Sequence, residues 1–378
     1  MEKGLYVHVP FCIKKCNYCD FNSFKLNEED KKEYIEGIIT EMNLYSKKFD
    51  KDCFSTVFIG GGTPSILESE ELKLLIDNIH SNFNISDGAE ISIEANPGTL
   101  TKEKLEILYL AGVNRLSMGL QSSNKKHLES LGRIHSYEEF KKNFEIAREI
   151  GFENINVDLM FSLPNQTFDE WKQTLEDVVK LNPTHISAYS LIIEDGTVFG
   201  RLYDEGKLEI IDEELYLKMY YYTRDYLKEN GYNQYEISNY AKDKKECKHN
   251  VLYWKCGHYL GLGPGSHSYL NEERFSNYKD IKTYCEKLKE YELPVENIEK
   301  LDKKDMMEEK IIMGLRMNEG IDLEKINEKF EVDFMKIYKS EVESLKNKGL
   351  IKLENSKMCL THKGIDISNK VFIEFLKK

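Results

Sequence analysis

The chain has 378 residues, of which 40% are apolar and 31% charged, and its formal net charge is −13 at pH 7. That is room for one large α/β domain with a smaller one, and apolar material enough for a core. The acidic balance weighs against nucleic acid as a partner, which a Lys/Arg excess would have to grip, and no apolar run reaches the length of about 18 residues that a membrane span requires.

In chain order, the first half alternates between two periodicities. "LYVHVP" (5–10), "STVFIG" (55–60), "EISIEAN" (90–96), "RLSMGL" (115–120), "NINVDLM" (154–160) and "HISAYSL" (185–191) read as strands. Between them, "KEYIEGIITEMNLY", "EELKLLIDNIHSNF", "TKEKLEILYLAG", "YEEFKKNFEIAREIG" and "FDEWKQTLEDVVKLN" carry apolar residues three and four apart, as amphipathic helices do. "SYEE" and "TFDE" place a Ser or Thr cap with an acid three residues later, a helix start signal. Six β–α units in a row predict an α/β fold with a parallel sheet and right-handed crossovers, and six rather than eight predict a partial (β/α)6 barrel over 1–210. Chemistry in such folds gathers at the C-terminal ends of the strands.

Residues 211–300 read as a connecting segment: a long helix "EELYLKMYYYTRDYLKENG", a strand-like "YNQYEISNYA" and the Gly-rich "GLGPGSHS". Residues 301–378 show three helical patterns and a hairpin-like "GLIKLENSKMCLTHKG", which predict a helical, winged-helix-like C-terminal domain. Its 16 Lys and Arg against 15 Asp and Glu leave DNA binding a weak reading.

"HVPFCIKKCNYCDF" sets Cys12, Cys16 and Cys19 in C-x3-C-x2-C spacing, three of the chain's eight cysteines. The N-terminus lacks the regions of a signal peptide, so a reducing cytoplasm is expected, where clustered cysteines more often bind metal or do chemistry. Three thiolates suit three irons of a 4Fe–4S cluster and leave the fourth iron open, whereas structural clusters usually take four cysteines. An open metal position usually serves a substrate. A zinc knuckle would need a second ligand pair at the right distance, and none lies nearby. "FIGGGTP" (58–64) ends a strand with three glycines, which permit close backbone approach to a cofactor and equally suit a plain tight turn.

The triad with its aromatic, "CIKKCNYC", resembles the radical SAM superfamily. The resemblance implies that the open iron is chelated by the amino and carboxylate groups of S-adenosylmethionine, whose reductive cleavage yields a 5′-deoxyadenosyl radical. "YVHVPFC" (6–12), "SIEANPGTL" (92–100), "RLSMGLQS" (115–122), "LGRIH" (131–135) and "NVDLMFSLPNQT" (156–167) are similar to the coproporphyrinogen oxidase-like group of that superfamily. This likeness makes Cys12, Cys16 and Cys19 the cluster ligands. It makes Tyr6, Tyr18, Gly61, Gly62, Thr63, Glu94, Gln121, Arg133, Asp158 and Ile192 the contacts of S-adenosylmethionine. Glu94 and Asp158 suit ribose hydroxyls or an ammonium group, and Arg133 suits a carboxylate.

Two features divide the group. Its oxygen-independent coproporphyrinogen III oxidases resemble one another in a further cysteine two residues past the triad, where this chain has Phe21. They also carry an extension before the first strand, where this chain has about five residues. "HNVLYW" (249–254), followed by "GLGPGSHS" (261–268), resembles instead the heme chaperones of the group. His249 would be a sound axial ligand for heme iron, Asn250 belongs to the same motif, and Tyr253 and Trp254 offer flat faces to a porphyrin. A histidine beside aromatics is also a common packing residue. "CKHN…KCGH" mimics a zinc motif through Cys247, His249, Cys256 and His258, although C-x-H spacing leaves little room for tetrahedral chelation.

The resemblance thus implies a protein that binds a 4Fe–4S cluster, S-adenosylmethionine and heme. It implies heme transfer to acceptor proteins, membrane-bound respiratory enzymes among them, with a homodimer as one assembly and no porphyrin turnover required. The alternative it leaves is oxidative decarboxylation of coproporphyrinogen III. An RNA-modifying radical enzyme fits the acidic balance poorly.

Overall fold

A computed structural model of the chain describes residues 3–376. The strand-like stretches of the first half become β1 (Lys3–Val9), β2 (Cys53–Gly61), β3 (Asn84–Ala95), β4 (Arg115–Gln121), β5 (Asn154–Phe161) and β6 (His185–Ser190). Each pairs with the next in parallel. Helices Glu28–Ser46, Ser69–Asn82, Lys102–Leu110, Tyr137–Ile150 and Phe168–Leu181 run between them. The capping boxes expected at Ser136/Glu139 and Thr167/Glu170 are both formed, each satisfying two N–H groups that a helix start leaves open. Trp171, fully buried, donates through Nε1 to Thr223 Oγ1 at 2.8 Å and so locks helix Phe168–Leu181 to helix Glu213–Glu229.

The two faces of the strands differ in kind. Leu5, Val7, Val57, Ile59, Ile93, Leu116, Ile155, Val157 and Ile186 are fully buried in the main apolar core. The alternate positions are polar, and the register lines them up: Glu94 opposite Ser117, Ser117 opposite Asn156, and Asn156 opposite His185. Because side chains alternate across a strand, these polar residues fill the concave side of the sheet. A parallel sheet buried on both faces usually reads as continuous apolar runs; here a period of two survives because one face surrounds a site.

The segment 211–300, expected as a connector, extends the same sheet at both edges. β7 (Asn233–Gln234) and β8 (Asn239–Ala241) add antiparallel strands beyond β6. β9 (His258–Leu262) runs parallel to β1, and β10 (His267–Leu270), β11 (Glu273–Asn277) and β12 (Val295–Lys300) follow it antiparallel. The sheet has twelve strands among the described residues, in the order β12-β11-β10-β9-β1-β2-β3-β4-β5-β6-β8-β7. Its core runs from Leu5 to Leu288, so the boundary expected at 210 divides residues that share one sheet and one core. Local pattern marks strands, but strand neighbours separated by some 250 residues are chosen by packing.

A second core, Met307 to Phe375, belongs to the C-terminal part. Helices Lys303–Arg316, Leu323–Phe330 and Phe334–Asn347 precede a hairpin of Ile351–Glu354 and Lys357–Leu360, with Ile321–Asp322 as third strand. The hairpin turns through Asn355 and Ser356, both at positive φ, as a two-residue loop requires. This is the winged-helix-like arrangement the sequence predicts. It docks on the barrel through an ion pair of Arg316 with the buried Glu236 at 3.2 Å. No helix among the described residues is long and apolar enough to cross a membrane.

Candidate functional site

Beyond β1 a short strand pair, Phe11–Cys12 with Phe24–Lys25, closes a loop that carries the three cysteines. The loop is braced throughout. His8 Nε2 donates to Asn22 O at 2.8 Å, Lys15 Nζ donates to Phe21 O at 3.0 Å, and Asn17 Nδ2 donates to Ser130 O at 2.8 Å. Cys12 is buried, Cys16 and Cys19 are half-buried, and all three line one cavity of about 140 Å³. Thr63 Oγ1 donates to Cys12 Sγ at 3.4 Å and Arg133 Nη1 to Cys16 Sγ at 3.5 Å, contacts that favour thiolates. Burial acts in the other direction and pushes the Cys12 and Cys19 thiols up. Among the described residues no three Cys, His, Asp or Glu side chains converge as a single ion would demand. A cubane cluster gives each thiolate its own iron, so an all-thiolate set spread around one cavity fits it.

The glycines at the end of β2 answer first to protein contacts. A Cβ on Gly62 would lie 2.6 Å from Phe11 O, and Gly61, at φ +111°, would carry one 2.5 Å from the His8 ring. Gly62 N donates to Val9 O and Thr63 N to Phe11 O, both at 2.8 Å, so this turn lies against the base of the cysteine loop. Gly61 and Gly62 thus line the cavity and also pack where no side chain fits. Gly62→Ala should cost roughly 1–3 kcal/mol of stability and lower cluster uptake, read by urea unfolding and iron content. An unchanged urea midpoint would mean that the 9–11 backbone yields freely.

The remaining walls come from the polar face at the C-terminal strand ends: Glu94, Ser117, Gly119, Gln121 and Asp158. Gln121 sits at φ +72° just after a register shift in β4, a bulge that re-aims its side chain. Glu94 Oε2 accepts from Gly61 N at 3.0 Å; burial, then the Asp158 charge, push its carboxyl up to about 7. Asp158 accepts from Asn156 Nδ2 at 2.8 Å and Ser117 Oγ at 3.1 Å, and burial raises it against those bonds. Arg133 Nη2 donates to Gly119 O at 2.6 Å, while its Nε is buried without a partner. Two carboxylates and a guanidinium with an open donor, set beside three thiols, fit the zwitterionic amino-acid end of S-adenosylmethionine.

Of the expected contacts, Tyr18, Gly61, Gly62, Thr63, Glu94, Gln121, Arg133 and Asp158 line this cavity. Tyr6 does not, and Ile192 lies past β6, 65% exposed and off its walls. Ser117 and Gly119 also line the cavity, and Asn156, behind the wall, donates to both Ser117 Oγ and Asp158 Oδ1 at 2.8 Å. The sequence reading names none of the three, although the alternate polar positions of "RLSMGLQ" and "NINVDLMF" carry the signal.

"HNVLYW" forms the helix Lys248–Trp254 at the N-terminal ends of β2 and β3. Glu90 of β3 accepts from Lys248 N at 3.1 Å and His249 N at 3.2 Å, an acid at a helix start. His249 is fully buried inside the barrel, with its ring stacked on Phe58 at 5.3 Å. Its Nδ1 meets Thr56 Oγ1 and its Nε2 meets Tyr253 OH, each at 2.8 Å. Burial, then the Arg115 charge, lower its pKa to about 3, so the ring is neutral. Both nitrogens are taken and no face is open, so the structure does not offer His249 as an axial ligand. It packs, and it holds Tyr253. Asn250 is half-buried and off the cavity walls, and Cys247, His249, Cys256 and His258 form no metal-binding group among the described residues.

A second cavity, of about 480 Å³, adjoins the first across Phe21, Gly61 and Glu94, which line both. Tyr6, Tyr253, Trp254, Tyr259 and Tyr269 give it an aromatic wall. Tyr253 meets Tyr259 edge-on at 4.6 Å, and the Arg316 guanidinium lies 4.4 Å from the Trp254 ring. Arg274, also on the wall, is held by both oxygens of Glu309 at 2.8 and 2.9 Å. Nothing local in the sequence points to Tyr259, Tyr269 and Arg274, because only the pairing of β9–β11 onto β1 brings them to this wall.

The radical SAM superfamily model matches residues 6–178, and the HemN C-terminal domain model matches residues 301–367. Fold and site together make the chain a radical SAM superfamily protein. It is 39% identical over 375 residues to the heme chaperone HemW of Bacillus subtilis (strain 168), covering 99% of each chain. It is 36% identical to the heme chaperone HemW of Lactococcus lactis subsp. lactis (strain IL1403), covering 98% of this chain and 96% of that one. The chain belongs to the HemW family. Among solved structures it superposes on the coproporphyrinogen III oxidase HemN of Escherichia coli with a TM-score of 0.88 at 25% identity, covering 99% of this chain and 90% of that one.

Proposed function

We propose that the chain binds heme in the aromatic cavity and hands it to acceptor proteins, with a 4Fe–4S cluster and S-adenosylmethionine held at the neighbouring cysteine cavity. The observation that carries this reading is the adjacency: an aromatic hollow of about 480 Å³, within the size range of cofactor sites, opens beside Phe21, Gly61 and Glu94 onto the cysteine cavity. Tyr253, Trp254, Tyr259 and Tyr269 present flat apolar faces suited to a porphyrin. The relatives that carry the name heme chaperone along nearly their full length support the same reading.

When bound, the cluster and S-adenosylmethionine supply low-potential electrons and a reducible sulfonium. The chain's own residues bind and orient at that end. Glu94 and Asp158 present carboxylate oxygens at the strand ends, Arg133 bridges Cys16 and Gly119, and Phe21 sets an apolar ring on the border of the two cavities. A phenyl ring at that border in place of a thiol favours carriage of heme over chemistry on a porphyrinogen. Acceptors in this reading are heme proteins such as membrane-bound respiratory enzymes. The second reading, oxygen-independent coproporphyrinogen III oxidase, draws its support from the superposition on that enzyme.

Anaerobic incubation of the cluster-reconstituted chain with a reductant, S-adenosylmethionine and coproporphyrinogen III decides between them, with a heme titration in parallel. Saturable heme binding without protoporphyrinogen is expected. Protoporphyrinogen in catalytic amounts would replace the chaperone reading with the oxidase one.

A further inference from the structure

Resting on the heme reading above, we infer that His267 is the residue of this chain that ligates heme iron. Two imidazoles line the aromatic cavity, His8 and His267. His8 is buried, with Nδ1 accepting from Tyr6 OH at 2.9 Å and Nε2 donating to Asn22 O at 2.8 Å. His267 opens β10, is exposed, and its ring makes no hydrogen bond or ion pair among the described residues. Of the two, His267 alone has nitrogens free to meet a ligand.

Its direction follows from strand register. Tyr6 lies opposite Gly261 across β1 and β9, and Tyr259 lies opposite Tyr269 across β9 and β10. Successive side chains of a strand alternate, so His267, two residues before Tyr269, projects from the same face as Tyr6, Tyr259 and Tyr269. That face is the cavity wall. A planar macrocycle lying among these rings would therefore find an imidazole lone pair from the same wall, and neutral imidazole is a common heme ligand.

The backbone that presents the ring is braced. Ser266 Oγ donates to Gly263 O at 2.7 Å, Asn22 Nδ2 to Pro264 O at 3.0 Å, and Gly263 N to Glu41 Oε2 at 2.8 Å. Gly265, at φ +74°, makes the turn into β10. A ligand on a fixed strand start loses little freedom on binding. Partial burial, then Lys279 and Arg274, hold the imidazole below its usual pKa, which keeps a lone pair free at neutral pH. Cys256 also lines the cavity, but burial pushes its thiol up and disfavours the thiolate.

The test is a visible-absorbance heme titration of the intact chain beside His267→Ala, His267→Gln, His249→Ala and Cys256→Ser, with circular dichroism of each. His267→Ala and His267→Gln should shift the Soret band and weaken heme binding roughly 10- to 100-fold, the scale of losses around metal ligands. Added imidazole should restore the band in His267→Ala. Cys256→Ser and His249→Ala should keep the intact chain's band position. An unchanged band and affinity in both His267 variants, or a loss that imidazole does not restore, overturns the assignment and leaves the heme reading standing. Failure of the intact chain itself to bind heme would remove the heme reading, and this inference with it.

Discussion

Cys12→Ser, Cys16→Ser and Cys19→Ser are each expected to reduce cluster incorporation to background while the chain stays folded. Each thiolate holds one iron, so losing one leaves two irons without protein ligands, and a serine hydroxyl is a poor replacement for a soft thiolate. The fold should tolerate the change, because Cys16 and Cys19 are half-buried and Cys12, though buried, lies outside the packed apolar clusters and serine is close to it in size. The loop that carries them is held by backbone and neighbouring side chains, through His8, Lys15 and Asn17. Iron and sulfide content and visible absorbance after anaerobic reconstitution give the readout, with far-ultraviolet circular dichroism as the control for folding. Full cluster absorbance in any one variant would show that the triad is not the ligand set.

Glu41→Ala should destabilise the chain by roughly 3–5 kcal/mol, because removing one member of a buried network strands the others. Glu41 is fully buried on helix Glu28–Ser46. It accepts from Asn277 Nδ2 at 2.6 Å, from Tyr284 OH at 2.6 Å and from Gly263 N at 2.8 Å. Those three groups belong to β11, helix Ile281–Lys289 and the turn before β10, so one carboxyl ties the outer helix to the wall of the aromatic cavity. Loss of heme affinity should accompany the loss of stability.

The same residue predicts a pH dependence. Burial pushes Glu41 from 4.5 up to about 7, against three hydrogen bonds that lower it. Between those values the folded chain keeps a proton that the unfolded chain has released, so stability falls as pH rises through the window. The drop at Glu41 is on the order of 3 kcal/mol, and Glu94, also raised to about 7, adds a fall of the same sign. Glu41→Gln removes its own part of the slope and leaves that of Glu94. Urea midpoints from pH 4.5 to 8 check this, and equal slopes in the two proteins would mean that Glu41 is ionised throughout.

Much of this site could be read in one dimension. The C-x3-C-x2-C triad needs only a loop of eight residues, so its spacing carries its chemistry wherever the loop lies. Glu94, Gln121, Arg133 and Asp158 were named through the family resemblance of the short stretches that hold them, and the fold brings the four to one cavity. His249 shows the limit. The stretch "HNVLYW" predicts a histidine beside aromatics, but depth is no property of six residues, and only the closure of β1 and β2 around it brings Thr56 to its second nitrogen and packs Phe58 and Gly4 against the ring. Tyr259, Tyr269 and His267 escaped for the converse reason, since nothing local says that β9 pairs with β1.

The sequence by itself determined the alternation of parallel strands and helices, the capped helix starts and the cysteine triad, because periodicity, caps and loop spacing act over fewer than about twenty residues. The tertiary structure alone decided that 211–300 completes the barrel sheet, that Glu41 braces a cavity wall from an amphipathic helix, and which histidine meets open space. Those outcomes depend on contacts between residues more than two hundred positions apart, as in Glu41 with Gly263 and Gly4 with His249. Such contacts form where apolar faces and buried polar groups find partners in the assembled core.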